Sequence, residues 1–198
     1  MTRLYWVAGV IAALAFAIAF INPSEPQPIP LPHALDGEPD VYMEDAIITQ
    51  FLPDGSIKYR LDAAEITHFE HDDLTRMVEP VFDLYDPEKS PWNISSRRGS
   101  IRRQMNSAGI VEEVVYLRDD VNLRQERGGG RYVNLATSAM YYYPDRQYAE
   151  SDQAVIINTK TGRTRAVGFE GDLKEGWMKL FSSPEQRVHI IVQPSHSY

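Results

Sequence analysis

The stretch FLPDGSIKYRL, from Phe51 to Leu61, holds two extended segments around a tight turn. Proline suits the second position of such a turn and glycine the left-handed position that closes it, so Pro53 and Gly55 mark a hairpin. Gly55 is the structural residue of the motif, needed for its backbone angle. Beyond the turn, Ile57, Tyr59 and Leu61 point to one side and Ser56, Lys58, Arg60 and Asp62 to the other, because side chains alternate across a strand. The apolar side needs a cover.

Outward from this hairpin the chain keeps the same character. From Tyr42 on, no run of ten or more residues has a helical period, while short β-rich runs recur between turn residues. Strands are expected at Ile47–Phe51, Ile57–Leu61, Met77–Tyr85, Trp92–Ser95, Val111–Leu117, Val121–Gln125, Tyr132–Ala136, Ala139–Tyr143, Ala154–Asn158 and Val188–Val192. Asp86-Pro87, Asn106 to Gly109, Gly128 to Gly130, Pro144-Asp145 and Lys160 to Gly162 read as turns. The spacing fits an all-β sandwich, barrel or jellyroll. Arginines 102, 103, 118, 124 and 131 lie in or beside these strands, so one face is solvated while the other is apolar.

Toward the N-terminus the pattern changes. Leu4 to Ile21 is uncharged over 18 residues, and at about 1.5 Å per helical residue it reaches the thickness of a hydrocarbon core. Arg3 precedes it and Glu25 is the first charge after it, which puts the short end in the cytoplasm and the body outside. A cleaved signal peptide is the competing reading, with small-x-small patterns at Ala15 to Ala17 and Ala17 to Ala19. The apolar run continues past both, and Tyr5 and Trp6 sit where an anchor meets the membrane edge, which favours an uncleaved single-pass segment over 1–21. Gly9, Ala13 and Ala17 recur every four residues, a face on which another transmembrane helix could pack. Residues 22–39 alternate proline too densely for helix or sheet and form an extended spacer, leaving 40–198 as the folded domain.

Composition narrows the chemistry. The chain has 198 residues, a net charge of −8 and no cysteine. An acidic balance argues against nucleic acid, which needs a basic footprint. Without cysteine there is no disulfide, zinc–thiolate site or thiol nucleophile. His68-Phe-Glu-His-Asp-Asp73 has donors at metal-like spacing but reads as a solvated turn, with no third ligand group in sight. Arg97-Arg98-Gly-Ser-Ile-Arg102-Arg103 is the strongest basic cluster, either a dock for phosphate or carboxylate or a solvated face neutralised by Glu112 and Glu113. The triple glycine lacks the helix and Lys-Ser/Thr of a phosphate loop, and there is no GxSxG or HExxH. No catalytic residue, metal site or cofactor is expected.

An anchor, a spacer and then FLPDGSIKYRLDAAEI resemble the LptC family of the bacterial lipopolysaccharide transport bridge. Val114-Val-Tyr-Leu-Arg-Asp-Asp-Val-Asn-Leu123 looks like that family's strand-turn-strand element, with Arg-Asp-Asp in place of a glycine-containing turn, and Leu135 to Leu180 resembles its C-terminal half. The resemblance implies an incompletely closed β-jellyroll with an apolar slot for the acyl chains of lipopolysaccharide. Its N-terminal edge and anchor helix would meet the inner-membrane transporter LptBFG. Its C-terminal edge, through Val188, Ile190, Ile191 and Val192, would meet periplasmic LptA. Alternation nominates Ile48, Phe51, Tyr59, Leu61, Ile66, Met77, Phe82, Leu84, Ile94, Val115, Leu117, Val133 and Ile156 as the lining. Two other readings remain: a structural adaptor at the inner membrane with a dry core, and a β-sandwich enzyme built on paired carboxylates.

Overall fold

A computed structural model describes residues 38–86, 89–106 and 108–192. The proposed membrane segment, with Gly9, Ala13 and Ala17, lies outside the described residues, as does most of the spacer. Among the described residues no helix is long and apolar enough to cross a membrane.

Among the described residues fourteen strands follow one another: β1 (Val41–Phe51), β2 (Ile57–Phe69), β3 (Leu74–Val78), β4 (Val81–Asp86), β5 (Lys89–Ser95), β6 (Arg98–Met105), β7 (Val111–Arg127), β8 (Arg131–Tyr143), β9 (Tyr148–Ser151), β10 (Val155–Thr159), β11 (Gly162–Ala166), β12 (Gly168–Asp172), β13 (Trp177–Phe181) and β14 (His189–Val192). The all-β expectation agrees with this order. The pairing is antiparallel throughout and reduces to a meander of nine passes, namely β1, β2, β3 with β4, β5 with β6, β7, β8, β9 with β10, β11 with β12, and β13 with β14. Each pass pairs with its neighbours in chain order, the first and the last on one side only.

Every pass divides its pairing between two layers, which face each other across the core. One, called here the upper layer, runs from the first half of β1 through β2, β3, β6, β7, β8, β9 and β12 to β13. The lower layer runs from the second half of β1 through β2, β4, β5, β7, β8, β10 and β11 to β14. The layers implied by the resemblance are present, and the chain crosses between them on every pass.

The bends line up as a crease. Asp45 (φ 47°), Glu79 (φ 51°), Asp119 (φ 66°) and Asp120 (φ 57°) take left-handed backbone angles there. Aspartate tolerates that region better than most side chains, and a β-branched residue would resist it. Backbone bonds stitch neighbouring bends together: Glu79 N–H to Arg97 C=O at 2.8 Å, Ser96 N–H to Pro80 C=O at 3.2 Å and Arg97 N–H to Asp119 C=O at 2.9 Å. Arg97–Asp120 and Arg98–Asp119 ion pairs, both 2.6 Å, flank them.

The crease corrects several strand expectations. The runs at Val111–Leu117 and Val121–Gln125 are one strand, since Asp119 and Asp120 form a bulge where a reversal of direction was expected. The runs at Tyr132–Ala136 and Ala139–Tyr143 also join as β8. Conversely, Met77–Tyr85 is divided at Glu79 and Pro80. The arginine-rich 97–103 segment is mostly strand; its ion pairs go to Asp119, Asp120 and Asp73, Glu113 lies across the strand pair from Arg103, and Glu112 pairs with Arg146 instead. Gly55 has φ +86° in the β1–β2 turn, where its N–H meets the Leu52 carbonyl at 2.9 Å.

Candidate functional site

Between the layers lies a continuous apolar interior, and pairing register shows how it is built. In the lower layer one inward row crosses the whole width of the fold: Ile48, Leu61, Phe82, Ile94, Leu123, Leu135, Ile157, Thr164, Ile190. Its centre is sealed, with Phe82, Ile94, Leu123 and Leu135 at 0% exposure, while its ends open to 36% at Ile48 and 61% at Ile190. Each end is an edge strand paired on one side only. A second row, Gln50, Tyr59, Leu84, Trp92, Gln125, Val133, Thr159, Gly162 and Val192, runs beside it toward the turns. Opposite, the upper layer contributes Met43, Ile66, Met77, Gly99, Leu117 and Met140. Gly99 belongs in that row because a Cβ there would stand 2.8 Å from Met77 Cε.

The layers pack through Phe82 against Tyr142, ring centroids 6.4 Å apart, and Tyr59 lies edge-on to Phe82 at 5.8 Å. Burial holds both phenols above their ordinary range, so both stay neutral.

Of the nominated lining residues, Ile48, Tyr59, Leu61, Phe82, Leu84, Ile94 and Val133 fall in the inward rows of the lower layer. Ile66, Met77, Val115 and Leu117 are buried in the upper one. Two nominations need correction. Ile156 faces outward, since its neighbours Val155 and Ile157 take the buried positions of β10. Phe51 is 58% exposed, beyond a register shift between Gln50 and Phe51 that takes it out of the row. Reading by alternation passed over Trp92, Leu123, Leu135, Ile157, Tyr142 and Phe169, all buried. Leu123 and Leu135 carried the signal, each flanked by polar or small residues. Tyr142 did not, because Tyr141 and Tyr143 surround it.

Along the margin opposite the crease, side chains of the described residues reach from one layer to the other. Lys58 Nζ donates to Asp145 Oδ1 at 2.7 Å, and Tyr59 Oη donates to Glu113 Oε1 at 3.5 Å. The Trp92 indole N–H donates to the Leu173 carbonyl at 3.1 Å, and the Lys89 ammonium donates to the Lys174 carbonyl. Burial raises the Glu113 carboxyl above its ordinary range, with Lys58 pulling the other way. A depression of 310 Å³ opens here among Lys89, Gln125, Arg127, Leu173 and Gly176.

The other sequence candidates serve the turns. His68 Nδ1 lies 3.0 Å from Thr75 Oγ1. Asp73 accepts from Arg103 at 2.9 Å, which holds its carboxyl below the usual carboxylate range. Among the described residues no three His, Asp or Glu side chains stand close enough to share a metal ion. Val188, partly buried against the core, precedes β14, where Ile190 and Val192 continue the inward rows and Ile191 faces outward.

Comparison with known proteins adds three findings. Residues 8–184 match the family described as lipopolysaccharide-assembly, LptC-related. The lipopolysaccharide export system proteins LptC of Escherichia coli K12 and of Shigella flexneri are each 24% identical over 172 residues, 85% of either chain. Among solved structures, LptH of Pseudomonas aeruginosa, the LptA-homologous periplasmic component of a lipopolysaccharide transport device, superimposes with a TM-score of 0.53. That match has 11% identity and covers 69% of this chain and 95% of the other.

Proposed function

The chain belongs to the LptC-related family of lipopolysaccharide assembly, and from that premise we propose that it is a non-catalytic bridge that takes lipopolysaccharide from the inner-membrane transporter LptBFG and passes it to LptA. Residues 1–21 anchor it with the N-terminus in the cytoplasm, 22–39 hold the domain off the membrane, and 40–198 work in the periplasm. The observation that carries the reading is the inward row from Ile48 to Ile190, which joins one free edge of the fold to the other. Acyl chains laid along such a row leave water at about 0.8 kcal/mol per buried CH₂, which needs no basic surface.

In the conformation described, protein side chains fill the interior, so a lipid enters only as the layers part. The crease keeps them joined while the contacts of the opposite margin release. Partners then extend the slot by adding strands, LptBFG at β1 and LptA at β14, where unpaired backbone groups favour β-augmentation.

The test places a photoreactive benzoylphenylalanine in the full-length chain at Tyr59 or Trp92, which face inward, or at Tyr116 or Tyr141, which lie in an outward row. After illumination with lipopolysaccharide, the inward positions are expected to label and the outward ones not. Equal labelling on both faces removes the slot. Labelling at neither, with LptA still captured, leaves the adaptor reading in its place.

A further inference from the structure

The outer face of the lower layer is polar along its width, but its charge balance changes from one side to the other. One outward row reads Thr49, Arg60, Asp83, Asn93, Arg124, Asn134, Asn158, Arg163, Ile191. On the N-terminal side the groups answer one another: Arg60 reaches Asp62 at 3.0 Å, and Asn93 donates to Asp83 at 2.9 Å. Toward β14 the cations outnumber the acids. Arg124, Lys160 and Arg163 surround a depression of 780 Å³, with Tyr132, Asn134 and Asn158 among its walls. Among the described residues the carboxylate answering them is Glu126, which accepts from Arg124 Nε at 3.0 Å. Arg163 commits Nε to Asn158 Oδ1 at 2.8 Å, and among the described residues neither Arg163 nor Lys160 has an ion pair.

A local excess of cations in a chain of net charge −8 sets this hollow apart from the general field of the protein, which repels anions. Its geometry favours more than a bare anion. Guanidinium forks suit phosphate oxygens, and the carboxamides of Asn134 and Asn158 offer donor and acceptor side by side, as ring hydroxyls require. The Arg124 guanidinium lies 5.6 Å from the Tyr132 ring centroid, which holds it on the wall of the hollow.

We propose that this outer depression binds a phosphorylated saccharide. Its position says where the ligand comes from. Ile190 ends the inward row at the C-terminal edge, and the next residue, Ile191, lines the depression. An amphiphile crossing that edge with its chains inside would bring its head group to Arg163 and Lys160. The saccharide site is independent of the slot, and only this choice of source rests on the bridge reading.

Calorimetry on the full-length chain tests it with an acyl-free glucosamine disaccharide bearing two phosphates, its unphosphorylated counterpart and inorganic phosphate. The double variant Lys160→Gln, Arg163→Gln alters exposed side chains, and its thermal unfolding should match the parent. The phosphorylated disaccharide is expected to bind the parent and to lose at least tenfold in affinity on the variant, with the neutral sugar silent and inorganic phosphate at least tenfold weaker. Binding of the phosphorylated disaccharide that is absent from the parent, or equal on the variant, overturns the site. Whole lipopolysaccharide separates the sources: weaker capture by the variant assigns the hollow to a carried head group, whereas unchanged capture with lost disaccharide binding assigns it to a free sugar phosphate. Loss of inward photolabelling with disaccharide binding intact would remove the slot and leave the saccharide site standing.

Discussion

Along the crease each pass crosses from one layer to the other by its own backbone, and left-handed residues at Asp45, Glu79, Asp119 and Asp120 turn the chain there. Along the opposite margin the layers meet through side chains reaching across to turns, at Lys58, Tyr59, Lys89 and Trp92. The first margin is covalent and repeated on every pass. Among the described residues the second is joined by side-chain polar contacts, one of them an ion pair with Asp145 half in solvent. The difference teaches that parting the turn margin would cost hydrogen bonds and apolar packing between the layers, whereas parting the crease would also break the sheet.

The largest effect is expected at the crease. Replacing Asp119 and Asp120 together with valine forces two β-branched residues into positive φ, at about 1–2 kcal/mol each, and removes the ion pairs to Arg98 and Arg97. Urea unfolding should report about 2–4 kcal/mol. Asparagine at both positions should recover most of it. A valine pair as stable as the parent would mean that the crease is not enforced by backbone conformation.

Next comes Trp92→Phe, which leaves the buried Leu173 carbonyl without its indole donor at a cost of about 1–3 kcal/mol. Hydrogen exchange should quicken around the β12–β13 turn before it changes at the crease. Uniform quickening would argue that the two margins open as one unit.

Glu113 sharpens the comparison through pH. Its folded carboxyl titrates above its ordinary value of 4.5, because burial penalises the charge. The folded state therefore holds that proton more tightly than the unfolded chain, so Glu113 lowers stability as pH rises through the interval above 4.5. Glu113→Gln removes that loss while keeping an acceptor for Tyr59. Its melting temperature should exceed the parent's at about pH 8 and converge with it at about pH 4. An unchanged difference across that range would show that Glu113 does not titrate against burial.

The smallest effect belongs to Lys58→Gln, which cuts the ion pair with Asp145 for less than about 1 kcal/mol. Stability should hardly move, yet lipopolysaccharide should label inward positions faster if release of this margin limits entry. An unchanged labelling rate would place the slow step elsewhere.

Much of this was legible in the order of residues. Alternation in Ile57–Leu61 and the Pro53–Gly55 turn announced β structure, and polar residues between apolar ones announced layers with one wet face. The inward placement of Tyr59, Leu61, Phe82 and Ile94 followed from the same period. The crease was not legible in this way. A left-handed residue inside a strand lets the side-chain alternation reset, and Asp119-Asp120 looks the same in a hairpin turn as in a bulge. The basic hollow was equally hidden, since Arg124, Lys160 and Arg163 belong to separate passes.

By itself, then, the sequence determined the kind of structure and the chemistry of its interior, because strand period, turn residues and acidic balance are local properties that act before any long-range contact forms. Only the tertiary structure decided where each pass bends, that Ile156 faces out and Ile157 in, and which turns close the open margin. Those outcomes depend on register between passes far apart in the chain, and register is settled by all the inward rows packing at once.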